Sequence, residues 1–239
     1  MNDALYVAAS GMHAIQRMLE TSAHNAVNTH TPGYQPRKVL LQNFGSFLDD
    51  VGNREHLVAG REVVAFEQGD LRKTESPFAV ALEGDGFLAV RDGKGDVYYT
   101  RNGDFRLNAE GRLVTHAGYE VMAEGERAIT VDGTGQVQIA KDGAVVQDGA
   151  EIARLQVWEF DGADRARLVP AAETLFKAPD GVGARPAEST VVHHGYLENP
   201  RYGGVQAMVS MLVASRNHDA MQRAIRAIDE AHENTIRSA

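Results

Sequence analysis

The sequence opens with MNDALYVAASGMHAIQRMLETSAHNAVNTHTPGY, residues 1–34. Small or apolar side chains recur in this stretch at heptad spacing: Leu5, Met12, Leu19 and Ala26, with Ala8, Ile15 and Ser22 three positions after the first three. This pattern is typical of a helix that packs one narrow stripe against another helix. The Asn, Thr, Pro and Gly residues between Asn25 and Tyr34 predict the end of that helix and a turn. We therefore expect a helix over residues 3–28 that needs a partner helix.

The end of the chain carries a matching pattern over residues 205–237. Two stripes run along it: Val205, Met208 and Leu212 in one, and Met211, Ala214, His218, Met221, Ile225, Ile228, His232 and Thr235 in the other. The stripe shifts near the middle, which predicts that this helix contacts different neighbours along its length. It is expected to begin either at Asn199–Pro200 or after Gly203–Gly204.

Between the two helical patterns, short apolar runs alternate with turn residues. Two hairpins are predicted: residues 78–82 and 87–90 around Glu83–Gly86, and residues 97–100 and 104–107 around Asn102–Gly103. No helical pattern alternates with these strands, which disfavours a doubly wound parallel sheet. The region therefore predicts an antiparallel β domain of barrel or sandwich type.

The predicted fold class is α+β, with a central antiparallel β domain inserted between N- and C-terminal coiled-coil helices. Four segments are expected: an N-terminal helix over 1–34, a connector with a short strand over 35–77, a β-rich domain over 78–198, and a C-terminal helix over 199–239 that pairs with the first. These helices can pair with each other and still leave apolar residues available to other chains. This arrangement favours a structural subunit over an enzyme.

Composition excludes several classes of function. The 239 residues carry a formal net charge of −9, which argues against nucleic acid or an anionic membrane surface as the main partner. No Cys is present, which excludes disulfides, thiolate metal sites and cysteine nucleophiles. No apolar run approaches the roughly 18 residues that predict a membrane span, so no membrane insertion is expected. No cleavable signal is visible either, and that observation alone favours the cytoplasm.

The residues that carry chemistry in other proteins form no recognisable site here. His193 and His194 are adjacent, so on a strand they point to opposite faces and cannot share one ion. Asp92–Asp96 resembles the start of a calcium loop but lacks its later Gly and Glu, so a hairpin turn is expected. Carboxylates at Glu83, Asp85 and Asp104 are not placed together by anything in the sequence. We predict no catalytic, cofactor-binding or metal-binding residues, no cofactor, and no enzyme activity.

Several motifs resemble those of flagellar basal-body rod and hook proteins. They are ALYVAASGM at 4–12, HNAVNTHTPGY at 24–34, LEGDGFLAV at 82–90, YTRNGDF at 99–105, NAEGRLVT at 108–115 and GYLE at 195–198. The match covers most of the chain in the family's order. The chain departs from the family at His24, at Pro200–Tyr202 and at Gln206–Ala207, which affects how the C-terminal helix begins.

The resemblance implies a structural axial subunit of the bacterial flagellar rod, the drive shaft across the periplasm. Such subunits are exported by the flagellar type III apparatus without a cleaved signal. The resemblance therefore replaces the expected cytoplasmic location with a location outside the cytoplasm. Expected partners are copies of the chain, other rod subunits, the export apparatus and the surrounding ring proteins. The assembly interface expected from the terminal motifs comprises Leu5, Ala8, Met12, Ile15, Leu19, Asn25, Asn28, Met208, Met211, Leu212, Met221, Ile225 and Ile228.

Alternatives stay open at this point. The modest length and the short Asn43–Gly69 connection favour a subunit of the proximal-rod type. A rod–hook junction or scaffold protein is the alternative within the family. Outside it, a β-domain binding module that its terminal helices merely dimerise also fits the pattern.

Overall fold

The computed structural model describes residues 2–43, 57–132 and 135–237. The helices are α1 (Asn2–Val27), α2 (Gly162–Arg165) and α3 (Gly204–Arg237) in this part of the chain. The strands are β1 (Arg37–Asn43), β2 (Leu57–Val64), β3 (Leu71–Lys73), β4 (Val80–Glu83), β5 (Phe87–Arg91), β6 (Val97–Thr100), β7 (Phe105–Leu107), β8 (Leu113–Thr115), β9 (Glu120–Ala123), β10 (Arg127–Ala128), β11 (Val137–Ile139), β12 (Ala144–Gln147), β13 (Ala150–Arg154), β14 (Val157–Phe160), β15 (Val169–Pro170), β16 (Leu175–Lys177), β17 (Ala184–Pro186), β18 (Val191–His194) and β19 (Tyr196–Glu198).

The chain divides into two compact units. The helical unit comprises Met1–Thr29, Pro36–Ala65 and Tyr202–Ala239, and the β unit comprises His30–Gln35 and Phe66–Arg201. The β unit is thus an insertion between the terminal helices, as the sequence predicts. The finer division into four segments remains a prediction.

The β unit is built from antiparallel strands. Its largest sheet runs β15-β16-β6-β5-β9-β8-β7, with β10 added beside β9, and β14 joining β5 to β17. Smaller sheets pair β11, β12 and β13, pair β18 with β4, and pair β19 with β3. Every pairing between these strands is antiparallel, which confirms the predicted class. The strands that the structure describes do not close into a barrel.

One hydrophobic core joins the large sheet, the β4–β18 pair and the β11–β13 sheet. Leu88 and Val90 from the large sheet, Leu82 and Val192 from the β4–β18 pair, and Val145 from the β11–β13 sheet belong to a single buried cluster. Aromatic rings extend it with edge-to-face contacts at Phe66–Phe87, Phe66–Phe176, Phe87–Phe160 and Tyr99–Phe160. Side chains of this size each contribute a few kcal/mol when fully buried, so the core accounts for most of the stability of the β unit.

The strand pairing predicted for both hairpins is wrong, although the predicted strands are present. β4 pairs with β18 rather than with β5, and β5 pairs with β6, β9 and β14. Likewise, β6 pairs with β5 and β16, and β7 pairs with β8. Gly103 shows the physical reason, because a Cβ there would lie 2.0 Å from the carbonyl oxygen of Val80. This glycine permits contact with a distant strand and does not form a two-residue turn.

Other predicted turns are confirmed. The Asp92–Asp96 turn joins β5 to β6, and the Asp92 carboxylate accepts hydrogen bonds from the backbone N–H groups of Lys94 and Asp96. The segment is therefore a hairpin turn, as expected. Its carboxylate is occupied by the backbone of its own loop.

The helical unit contains α1, α3 and the antiparallel β1–β2 hairpin. α1 contacts α3 and also packs on both strands of the hairpin. α1 lies within one residue of its predicted bounds, and α3 begins at Gly204, so the Gly203–Gly204 alternative is the correct one. The Ala207 N–H donates to the Gly203 carbonyl at 3.0 Å and closes the first turn of α3.

Candidate assembly surface

The buried line of α1 is made of small and polar residues. Gly11, Ala14, Thr21 and Asn25 are buried, and their spacing of three, seven and four places them on one side of the helix. The predicted stripe of Met12, Ile15 and Leu19 is only partly buried. Each residue of this stripe follows, by one position, a residue of the buried line or of its continuation at Met18. One position corresponds to a rotation of about 100° around the helix. The predicted stripe is therefore beside the buried line and not on it.

Close packing between the helices explains this displacement. A Cβ on Gly11 would lie 2.8 Å from Cε of Met221 on α3, so a larger residue there would displace the end of that flexible side chain. On α3, Ala214 is buried, and His218, Met221 and Ile225 follow it at helical spacing as partly buried residues. This part of the second predicted α3 stripe therefore faces inward. Small residues on α1 allow the approach, and larger apolar residues are left at its side.

The two predicted asparagines bond inside the helical unit. The Asn25 side chain donates to the Arg37 carbonyl at 2.8 Å and accepts from the Arg37 N–H at 3.0 Å. The Asn28 amide donates to the His24 carbonyl at 3.0 Å and so satisfies a carbonyl at the end of α1. Asn25 thus fixes the start of β1 against α1. Contact of either asparagine with another subunit stays a prediction.

α3 presents a large apolar surface near its beginning. Val205, Met208 and Leu212 are 79%, 72% and 52% exposed and lie on one side of the helix; we call these three residues the outer ridge. Ala207 and Ala214 lie on the opposite side and are 1% and 2% exposed. The amphipathic arrangement is thus inverted, since the large apolar side chains face out and the alanines face in.

A groove of about 510 Å³ lies beside this ridge, between α1, β1 and α3; we call it the lateral groove. Its walls are Met18, Thr21, Ser22 and Asn25 on α1, Pro36, Arg37, Lys38, Val39 and Leu40 on β1, and Tyr202, Gln206, Val209, Ser210, Val213 and Ala214 around α3. The Tyr202 hydroxyl donates to Oγ of Ser210 at 2.6 Å and positions the ring in the wall. Tyr202 is one of the residues at which the chain departs from the family pattern.

The predicted interface residues therefore fall into groups with different surroundings. Met208, Met211 and Leu212 are exposed, whereas Met12, Ile15, Leu19, Met221 and Ile225 are partly buried. The side chains of Leu5, Ala8 and Ile228 lie outside the described residues. Sequence reasoning missed Val209, Val213 and Leu40, which are 55%, 49% and 47% exposed. For Val209 and Val213 the signal was the apolar run MVSMLV at 208–213, interrupted only by Ser210, because a helix cannot bury every side of such a run against one partner.

The carboxylates considered as a catalytic pair are separated in the β unit. Glu83 bonds His193 at 2.7 Å, Asp104 bonds His116 at 3.1 Å, and Asp85 bonds Arg165 at 2.5 Å. Each acidic group has its own basic partner at the surface. His194 bonds the Pro77 carbonyl, so the adjacent histidines do point to different partners. Within the described residues, no group of three or more His, Asp or Glu side chains is arranged to hold a metal ion.

Glu120 and Asp142, at the surface of the β unit, are carboxylates whose pKa values are lowered by arginines. A hydrogen bond from Arg112 lowers the pKa of Glu120, partial burial opposes that change, and a second hydrogen bond from Arg91 adds to it. A hydrogen bond from Arg154 lowers the pKa of Asp142. Both are ion pairs at the surface and stabilise the β unit rather than perform chemistry.

A buried ion pair lies where the chain passes into and out of the β unit. Nε of Arg101 bonds Glu198 at 2.8 Å, and their side chains are 5% and 1% exposed. The same guanidinium donates to the carbonyls of Gly84 and Gly86, and the second Glu198 oxygen accepts from the Gly69 N–H. Because both charges are paired and hydrogen-bonded, their burial is tolerated.

Among the described residues, no helix is both long enough and apolar enough to cross a membrane.

Comparisons with known proteins agree with the motifs. The flagellar hook protein FlgE/F/G D1 domain family matches residues 81–147. The chain is 31% identical to flagellar basal-body rod protein FlgF of Rhizobium meliloti (strain 1021) over 92% of this chain and 90% of that one. It is 28% identical to FlgF of Caulobacter vibrioides (strain ATCC 19089 / CIP 103742 / CB 15) over 93% and 92%. It is also 28% identical to flagellar basal-body rod protein FlgG of Borreliella burgdorferi (strain ATCC 35210 / DSM 4680 / CIP 102532 / B31) over 96% of each.

Proposed function

The chain belongs to the family of flagellar basal-body rod proteins, and from this premise we propose that it polymerises through its terminal helices as an axial subunit of the rod. The family is structural and not enzymatic. The subunit contributes to a shaft by binding neighbours along and around the axis. Its function therefore depends on the surfaces that bind these neighbours.

The outer ridge is the observation that supports this proposal. Large exposed apolar patches on a soluble protein mark places where another molecule binds. Val205, Met208 and Leu212 expose more than half of their surface on a helix whose alanines face inward. Burying such side chains gains about 25 cal/mol per Å² of apolar surface, and a polymer repeats that gain at every subunit.

We extend the proposal to partners and place. Copies of the chain and other rod subunits bind the terminal helices, and the surrounding ring proteins face the β unit. The chain leaves the cytoplasm through the flagellar export apparatus without a cleaved signal and assembles in the periplasm. α1 and α3 then continue as coiled-coil helices shared with neighbouring subunits, and they become fully ordered only on assembly.

Along the axis, we propose a position of the proximal-rod type. The short Asn43–Gly69 connection supports it. A rod–hook junction or scaffold role places the same subunit at one end of the shaft. Subtomogram averaging of motors that carry a density tag on the subunit distinguishes these positions.

Gene deletion tests the proposed function. Cells lacking the chain are expected to build no complete rod and not to swim, and a plasmid copy of the full chain is expected to restore both. A copy lacking residues 205–239 should not restore them, although its β unit is expected to keep its circular dichroism signature. Normal swimming by the deletion strain would show that the chain is not a rod subunit.

The dimeric binding module makes a different prediction. It requires a stable dimer of one discrete mass whose helices melt cooperatively. Sedimentation of the purified full chain separates this outcome from a monomer that forms longer assemblies as concentration rises.

A further inference from the structure

The helical unit carries two apolar surfaces on different sides. Successive residues of a helix are rotated by about 100°, so Gln206, Val209, Ser210 and Val213 of the lateral groove lie about a third of a turn from the outer ridge. The inward side marked by Ala207 lies opposite the outer ridge and borders the groove, whose wall includes Ala214. One subunit therefore offers a convex apolar surface and a concave one at the same time.

We infer that the outer ridge of one copy docks into the lateral groove of the next copy. The inference rests on the proposed function and specifies which surfaces the neighbouring copies use. A contact between two different patches is heterologous, and repeated heterologous contacts that do not close give an open helical filament. A ridge-to-ridge contact uses one patch twice and ends at a dimer, leaving the groove uncovered.

The dimensions of the two surfaces match. The ridge extends seven residues from Val205 to Leu212, which is about 10 Å at 1.5 Å per residue. The α1 wall of the groove also extends seven residues, from Met18 to Asn25, and so has the same length. A helix laid there continues the existing contact between α1 and α3 as a third helix beside them.

Charge favours the same arrangement. The copies repel one another through a net charge of −9 each, so contact is least costly where no charge is buried. Residues 205–215 contain no charged side chain, and this segment includes the whole outer ridge. Arg37 and Lys38 are the charged residues in the groove wall, and Arg37 is paired with Glu62 at 3.5 Å, so an uncharged ridge brings no like charge against them.

Cysteine cross-linking tests the docking directly, because the natural chain has no Cys. Ser22→Cys places a thiol in the groove wall, and Met208→Cys places one on the ridge. In cells whose flagella contain the double variant, a short bismaleimide is expected to give a ladder of bands at multiples of the subunit mass. Each single variant should give no ladder, and neither should the control pair Ser22→Cys with Glu188→Cys, whose second thiol lies on the surface of the β unit.

A second set of variants tests whether the ridge itself makes the contact. Leu212→Lys added to the double variant is expected to abolish the ladder, because it brings a positive charge into a groove whose wall already holds Arg37 and Lys38. Asn217→Lys adds the same charge to an exposed polar position on α3 and should leave the ladder intact. Soluble subunit levels are measured in parallel to confirm that both variants are made and exported.

Two results would overturn the inference. A dimer, and nothing larger, from Met208→Cys alone would show ridge-to-ridge contact. Absence of a ladder from the double variant in cells that swim normally would show that rods assemble through other surfaces. In that second case the proposed function stands, because it fails only if the deletion strain swims.

Discussion

The two units of this protein use apolar residues in opposite ways. In the β unit, Leu, Val, Ile and Phe fill a core, and only Ile152 and Val169 are exposed among its large hydrophobic residues that the structure describes. In the described part of the helical unit, apart from Pro36, the buried hydrophobic residues are Ala14, Ala207 and Ala214. Its large hydrophobic residues at 205, 208, 209 and 211–213 are exposed instead.

This difference shows where each unit obtains its stability. We expect the β unit to fold by itself, because each large side chain in its core contributes roughly 1.5–3 kcal/mol. Alanines contribute little area, so the helical unit gains less from its own contacts. We expect its remaining stabilisation to come from neighbours, as for most amphipathic helices.

The largest effect is expected from breaking the buried ion pair of the β unit. Glu198→Ala leaves the Arg101 guanidinium buried without its partner, which costs about 3–5 kcal/mol in the free energy of unfolding. Urea titration followed by Trp158 fluorescence measures it. Arg185→Ala is the matched control, because its ion pair with Asp161 is exposed and contributes about 0–1 kcal/mol. Equal effects of the two substitutions would contradict the role of burial.

The next test compares the two units by making the same leucine-to-alanine substitution in each. Leu88→Ala, at a residue 1% exposed, is expected to cost about 2–5 kcal/mol of unfolding free energy. Leu212→Ala, at a residue 52% exposed, should change it by no more than about 0.5 kcal/mol in the free subunit. In cells, Leu212→Ala should reduce swimming although subunit levels stay unchanged, because the ridge is proposed to bind neighbouring subunits. A large loss of monomer stability from Leu212→Ala would show that the ridge packs internally.

A smaller and more local effect is expected at Asn25. Asn25→Ala leaves the N–H and carbonyl of Arg37 without their side-chain partner, which costs about 1–3 kcal/mol in total because Arg37 is only partly buried and water can reach it. Because β1 belongs to the helical unit, amide hydrogen exchange should rise there and not in the β unit. Gln16→Ala serves as the control, since it removes only an exposed hydrogen bond to Glu20. Uniform acceleration in both units would contradict two separable units.

The smallest effect is expected from pH. The bonded Arg112 lowers the pKa of Glu120 in the folded protein, so the carboxylate stabilises the fold above the ordinary glutamate pKa of about 4.3. That contribution is lost as pH falls through the lower, folded pKa. Glu120→Gln should therefore cost up to about 1 kcal/mol at neutral pH and progressively less on acidification, as urea midpoints would show. A difference between the two proteins that is independent of pH would exclude an ionic origin.

The sequence alone predicted the helices and the antiparallel class because both depend on local patterns. Residue spacing located α1 and α3 to within one residue at their starts, and the motifs identified the family. Strand partners were not predictable in the same way. A strand such as β4 shows the same pattern whether it pairs with β5 or with β18, and the choice depends on distant contacts such as that between Gly103 and Val80.

Two further features escaped sequence reasoning for a physical reason. Apolar spacing marks the largest side chains, whereas the buried line of α1 includes small residues such as Gly11 and Ala14. The predicted contact stripe of α1 therefore lies one residue away from the buried line that the structure shows. Arg101 and Glu198 are of the residue types most often found at the surface, so their burial was not expected. Only the fold brings these residues, 97 positions apart, into contact.

The hydrogen bond from the Gly33 N–H to the Glu198 carbonyl, 2.8 Å long, has a mechanical consequence. Gly33 lies where the chain passes into the β unit, and Glu198 lies just before it leaves. A force that pulls these two points apart therefore acts first on this bond and on the neighbouring Arg101–Glu198 pair. We therefore expect the two connections of the β unit to stay together under load until these bonds break.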